Sequence, residues 1–216
     1  MPSLKATRWG PAEGPVQQLV VICHGVGASG RDLIDLAPVW GRALPRAVFT
    51  APDAPEPYDM APTGRQWFSL VDRSPPKLLA GVAVAADALD AFVASEAARL
   101  GLDHDAVALM GFSQGAMTVL HAGLRRAPGP CGVLAFSGAW LPPATVAARP
   151  PVLLVHGEAD DVVPVGRSRD AEAALGAAGV DVTALYLPGL GHWIDEAGRA
   201  AGARFLGRVF AVKMAS

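Results

Sequence analysis

The stretch MGFSQGAM, Met110 to Met117, sets one serine between two glycines, directly after the apolar run AVALM and directly before a segment with helical spacing. A serine hydroxyl is a poor nucleophile until a neighbouring base takes its proton. If the chain turns at Ser113 from a buried strand into a helix, Gly111 and Gly115 let neighbouring backbone crowd against a strained corner, the arrangement of a nucleophile elbow. Taken alone, GFSQG is weak, because a chain with 24 glycines can meet GxSxG by chance. An ordinary Gly-rich turn with a capping serine is the competing reading. What separates the two is whether the rest of the chain supplies a base, an acid to orient it and donors for an oxyanion.

Outward from this stretch the chain alternates. Short apolar runs recur as LVVICHG, AVFTAP, AVALMGFS, GVLAFSG, PVLLVHG and VTALYLPG, each dominated by β-branched or aliphatic residues, as strands buried on both faces should be. Helix-length segments lie between them. Leu33, Leu36, Trp40 and Leu44 share a helical face, as do Val82, Ala86, Leu89, Val93 and Leu100. Met117, Leu120 and Leu124 follow the serine and end at Arg125 and Arg126, where cations suit a helix C-terminus. Ala171 to Ala178 ends at Gly179, and Phe205, Leu206, Val209 and Phe210 line a last helix. Strand alternating with helix predicts an α/β fold, a mostly parallel central sheet with helices on both faces.

At 216 residues with 51% apolar content, the chain is most simply one domain, 1–216, with 1–15 as an N-terminal extension. A formal net charge of −2, with 18 basic and 20 acidic residues interspersed, gives no electrostatic footprint for nucleic acid or an anionic membrane. The apolar segment from Leu78 carries Asp87 and Asp90 near its middle, each costing roughly 2.5–3.5 kcal/mol at a bilayer centre, so stable membrane insertion is not expected. The N-terminal residues contain no apolar stretch of secretory-signal length, which makes cytoplasmic location the expectation. Cys23 and Cys131 lack disulfide-framework or metal-ligand spacing and are expected to be reduced core thiols. No metal or cofactor is expected. The expected partner is a small-molecule ester, and a homodimer is compatible with the sequence.

In open α/β sheets the ligand site lies beyond the carboxyl ends of the strands. His24 and Gly25 follow the first run, Ser113 follows AVALMGF, Asp160 and Asp161 follow PVLLVHGEA, and His192 follows VTALYLPGL and is expected to open the last helix. Of five histidines, His104 falls in a polar connection and His121 about two turns into the helix after the serine. His24 and His156 each begin an HG turn, where an imidazole bonded to loop backbone is the plainer reading. Only His192 stands downstream of both Ser113 and an acidic strand end, the hydrolase order of nucleophile, acid and base. Glu158, Asp160 and Asp161 all remain open as the acid. The oxyanion donors expected are the N–H of Gln114 and one from HGVGASG, most plainly Val26. That loop lacks the Walker lysine and GxGxxG spacing of a phosphate cradle.

Together HGVGASG, QWFSL, GFSQGA, FSGAWLP, HGEADDVVP and GLGHWI resemble the carboxylesterase, phospholipase and acyl-protein thioesterase family of α/β-hydrolases, small enzymes without a large cap domain. The resemblance runs in order from about Val16 to the last helix. It implies Ser113 as nucleophile, His192 as base and Asp160 as acid, because the family's HGxxDxxVP pattern falls on His156, Gly157, Asp160, Val163 and Pro164. It implies Val26 and Gln114 for the oxyanion hole. Trp67, Phe68 and Leu70, with Trp140 and Leu141, are the implied substrate-binding residues. Ser69 stands where the family commonly carries aspartate, a departure at the expected pocket floor. The Pro-rich region from Pro52 to Pro76 is too long for a plain connection and is the expected substrate wall. The activity implied is hydrolysis of short- to medium-chain carboxylic esters. A thioesterase or lysophospholipase on the same triad and a non-catalytic binding module are the alternatives, and Ser113 disfavours a dienelactone-type hydrolase, which would carry cysteine.

Overall fold

The apolar runs become parallel strands of one sheet, because a stretch such as Leu19-Val20-Val21-Ile22-Cys23 can only be desolvated with helices above and below it. In the computed structural model, which describes residues 4–211, that stretch is β2 (Gln18–Cys23). The others are β3 (Ala47–Pro52), β6 (Val107–Phe112), β7 (Gly132–Phe136), β8 (Val152–Gly157) and β9 (Val182–Leu187). With β1 (Ala6–Trp9) at one edge, the order across the seven-stranded sheet is β1-β3-β2-β6-β7-β8-β9. Within 1–15, expected as an N-terminal extension, residues 6–9 instead form the edge of the sheet. Ala6–Trp9 (β1) pairs antiparallel with β3, Ala6 opposite Pro52 and Trp9 opposite Phe49. Gly10 to Gly14 then connect β1 back toward β2.

Alternate residues of each central strand enter opposite layers, as the period of two demands. Leu19, Val21 and Cys23 of β2, with Leu109 of β6 and Leu154 of β8, join the core beneath α2 (Pro75–Leu100), α3 (Gln114–Leu124) and α4 (Gly166–Ala177). Val20, Ile22, Met110, Leu134 and Leu153 face the other layer, made by α1 (Ala37–Trp40) and α5 (Glu196–Ala211). Helix α2, the one helix among the described residues long and apolar enough to cross a membrane, lays Val82, Ala86, Leu89 and Val93 on the sheet. Its Asp87 and Asp90 both pair with Arg125 at the end of α3.

Three expectations are corrected. The face Leu33, Leu36, Trp40 and Leu44 is not one helix. Two three-residue 3-10 turns, Gly30–Asp32 and Ile34–Leu36, lead into a four-residue α1. Gly41 ends α1 with its N–H on Ala37 O and its Cα against the Trp9 ring, where an added Cβ would lie 2.3 Å from the ring. Strand β9 is half-exposed rather than buried on both faces, because it is the sheet's outer edge. His192 does not open the last helix, which starts four residues later at Glu196. It stands in the loop between β9 and α5.

Candidate active site

The corner at Ser113 is built from close backbone contacts. Ser113 has φ 54° and ψ −117°, a conformation that strains any residue with a Cβ. Its N–H donates to Phe136 O at 2.9 Å, which extends the β6–β7 ladder to the turn. A Cβ on Gly111 would lie 2.3 Å from the Gly115 carbonyl group, and one on Gly115 would lie 2.1 Å from Cys23 O. Both glycines are therefore required by close approach, which is what the sequence reading asked of them. Helix α3 begins on the next residue, so the Gln114 N–H has no intrahelical acceptor. On the loop after β2, the amides of Gly27 and Ala28 are committed to Arg65 O and Gly25 O, while Val26, half-buried, makes no such bond among the described residues.

Of the three crowded acids the fold selects one. Glu158 is exposed and pairs with Arg169 at 2.7 Å, and Asp161 is exposed. Asp160 is buried. Its Oδ1 accepts from the Val162 and Val163 amides at 3.0 and 2.8 Å, and its Oδ2 accepts from His192 Nδ1 at 2.7 Å. Burial alone would raise its pKa. Hydrogen bonds from His192, Val163 and Val162 outweigh that and hold the carboxyl below its ordinary range. With Nδ1 donating to a carboxylate, the neutral His192 carries its free lone pair on Nε2. The ring of Phe112, the residue before Ser113, packs on the imidazole with centroids 4.7 Å apart, so the histidine is held beside the elbow.

His156 belongs to this cluster, a role the HG-turn reading missed. Its Nε2 lies 2.8 Å from Val163 O and 3.1 Å from Asp160 Oδ2, and its Nδ1 lies 2.7 Å from Ser168 Oγ. Since both neighbours of Nε2 are acceptors, Nε2 carries the proton. Burial keeps the ring neutral by lowering its pKa. The signal was available in the sequence: His156 and Asp160 stand four apart across a turn. His24 is structural, as expected. Its Nδ1 donates to Gly25 O at 2.7 Å and its Nε2 accepts from the Ala54 amide at 3.0 Å, joining the ends of β2 and β3. His121 donates from Nδ1 to Leu141 O at 2.8 Å, fixing the segment after β7.

The region from Pro52 to Pro76 does something other than wall a groove. Trp67 and Phe68 are 1% and 2% exposed and lie in the core beneath α2. Trp67 Nε1 donates to His24 O at 2.9 Å. The side chain of Gln114 clasps the same pair, its Oε1 accepting from the Trp67 N–H at 2.8 Å and its Nε2 donating to Phe68 O at 2.6 Å. Two full rings with no surface cannot line an open pocket, so the expectation for Trp67 and Phe68 is corrected to anchoring. A short ladder of β4 (Glu56–Pro57) and β5 (Arg65–Gln66) completes the loop. Arg65 then hydrogen-bonds the loop after β2 through both its amide and its carbonyl. The region thus braces the expected oxyanion donors. Ser69 is exposed rather than a pocket floor, while Leu70, Trp140 and Leu141 are half-buried against the core that holds Trp67.

A mostly parallel sheet with a strained serine at the end of a central strand, and an aspartate–histidine pair delivered by the ends of β8 and β9, defines an α/β-hydrolase without a cap domain. The chain belongs to the phospholipase/carboxylesterase family, whose model matches residues 10–208. It is 33% identical over 184 residues to the esterase YpfH of Escherichia coli, covering 84% of this chain and 78% of that one. The solved structure of esterase PE8 is 38% identical, with a TM-score of 0.91 over 96% of this chain and all (100%) of that one. Acyl-protein thioesterase 1 of Gibberella zeae is 26% identical over 84% of this chain and 86% of its own. The protein is an esterase-type hydrolase.

Proposed function

We propose that the protein is a serine carboxylesterase in which Ser113 is the nucleophile, His192 the general base and Asp160 the orienting acid. The observation that carries this reading is the 2.7 Å bond from His192 Nδ1 to Asp160 Oδ2, beside a serine held at φ 54°. Fixing the proton on Nδ1 leaves Nε2 to take the Ser113 proton as Oγ attacks the ester carbonyl carbon. The carbonyl oxygen, now negative, is met by the N–H groups of Gln114 and Val26. Collapse expels the alcohol, which takes the proton from His192 Nε2. Water then attacks the acyl-enzyme by the reverse sequence and frees the carboxylic acid.

The acyl group faces Leu70, Trp140 and Leu141, half-buried apolar side chains on the α2–α3 side of the elbow. Without a cap the site is open, which suits short- to medium-chain acyl groups. Similarity to an acyl-protein thioesterase supports a second reading, thioester hydrolysis on the same three residues. A fluorophosphonate probe followed by peptide mapping tests the triad. Label on the peptide holding Ser113, abolished in Ser113→Ala, is the expected result, and label elsewhere or none overturns it. Parallel rates on matched ester, thioester and lysophospholipid substrates then rank the substrate classes.

A further inference from the structure

A depression of about 340 Å³ opens beside His192, on the face of the sheet opposite Trp67 and Phe68. Its apolar lining comes from Leu33, Leu36, Phe112, Trp193 and Ile194. Leu36 is buried and Leu33, Phe112 and Ile194 pack on the α1–α5 core, so these four form a fixed floor. Trp193 is different. It is 63% exposed, a large ring left in solvent directly after the histidine. At the rim of an apolar hollow that ring offers a flat, amphipathic face on which an apolar group can stack.

The position of His192 in the wall decides which part of a substrate enters. Resting on the triad reading above, the imidazole that removes the Ser113 proton gives it to the departing oxygen as the C–O bond breaks. The electron pair of that bond leaves with the alcohol oxygen, the proton neutralises it, and the acyl carbon stays on Ser113 Oγ. The alcohol half of the ester must therefore lie against His192 when the bond breaks. The groups charged along this depression are Asp32, Asp35 and Arg199. Asp32 already accepts from the Ser29 amide and hydroxyl at 2.7 and 2.9 Å. Two carboxylates against one guanidinium oppose an anionic ligand, and the lining is mostly apolar.

We propose that this depression is the leaving-group site and that it selects uncharged, apolar alcohols of one or two rings, seated against Trp193 and Ile194. Acyl and alcohol specificity are then set by separate walls on opposite sides of His192.

The test compares kcat/KM for methyl, n-butyl, benzyl, 2-naphthylmethyl and 4-carboxybenzyl acetates in the wild type and in Trp193→Ala, whose exposed side chain can be removed without opening the core. In the wild type, benzyl and naphthylmethyl acetates should exceed methyl acetate, and 4-carboxybenzyl acetate should fall well below benzyl. In Trp193→Ala the benzyl-to-methyl ratio should drop about tenfold, while the profile of methyl esters from acetate to octanoate keeps its shape. An unchanged ratio, a uniform loss on every ester, or a change in acyl profile would each overturn the leaving-group site. A wild-type protein that hydrolyses none of these esters and takes no fluorophosphonate at Ser113 overturns the triad reading itself, and this site with it.

Discussion

His156 Nε2 and His192 Nδ1 converge on one oxygen, Oδ2 of Asp160, at 3.1 and 2.7 Å. The aspartate is thereby held from both sides, with the Val162 and Val163 amides on its other oxygen. A carboxylate with three hydrogen-bond donors, and the His156 N–H close beside it, keeps its charge in a buried place and stays aligned with His192.

Asp160→Asn should lower kcat by about three to four orders of magnitude, the size of effect expected when an imidazole loses its tautomer-fixing acid. Asp161→Asn, at an exposed position, should change it far less. Steady-state kinetics on both variants check the ranking, and a reversed order would move the acid to Asp161.

His156→Ala removes the ring that bonds Val163 O and Ser168 Oγ and stands 3.1 Å from the Asp160 carboxylate; with about 0.5–1.5 kcal/mol of positioning lost, kcat should fall by up to about tenfold. His156→Gln retains a donor and should recover part of that loss. If both variants keep full kcat and differ only in Tm, His156 serves stability alone.

Ser113→Gly and Ser113→Ala should both abolish ester hydrolysis while leaving the fold intact. They should differ in stability. Glycine relieves the φ of 54° and should raise Tm by a few degrees, corresponding to about 1 kcal/mol, whereas alanine keeps the strain. Equal melting temperatures would show that the elbow holds no strain at this residue.

Trp67→Ala should cost about 3–5 kcal/mol of stability, as for other fully buried large aromatics, without altering the order of preference among acyl chains. Thermal melts and an ester series separate this from a pocket role. A stable variant with a shifted chain-length profile would restore Trp67 to the acyl site.

Glu96 of α2, almost buried, meets Arg8 of β1 at 2.9 and 2.6 Å and also Arg99. Burial acts to raise its pKa, but the Arg8 and Arg99 hydrogen bonds prevail and hold it at about 2, against an ordinary 4.5. A lowered folded-state pKa contributes stability that is complete above pH 4.5 and is lost as pH falls through about 2. With both guanidinium groups partly in solvent, the contribution is about 1–2 kcal/mol. The stability gap between wild type and Glu96→Gln, followed by denaturant titration, should therefore close between those pH values. A constant gap would show that the pair is not coupled to the proton.

The mostly parallel sheet, its central strands and the Ser113 corner were all legible in the order of the residues alone. These follow from local chemistry: aliphatic runs need cover on both faces, and Gly111 and Gly115 mark a place where backbone touches backbone. Residue order also narrowed the base to His192, because chain order and strand ends are linear properties. What linear order could not hold was anything decided by which surface meets which. Glu158, Asp160 and Asp161 are three carboxylates in four positions, and only burial beside His192 and His156 distinguishes Asp160. The Trp67–Phe68 pair reads equally well as pocket or anchor until Gln114 is seen to clasp its backbone. Ala6–Trp9 carries no apolar run, since an antiparallel edge strand is covered on one side only and gains its place from β3. Tertiary structure settled these points because desolvation and hydrogen-bond partners belong to residues far apart in the chain.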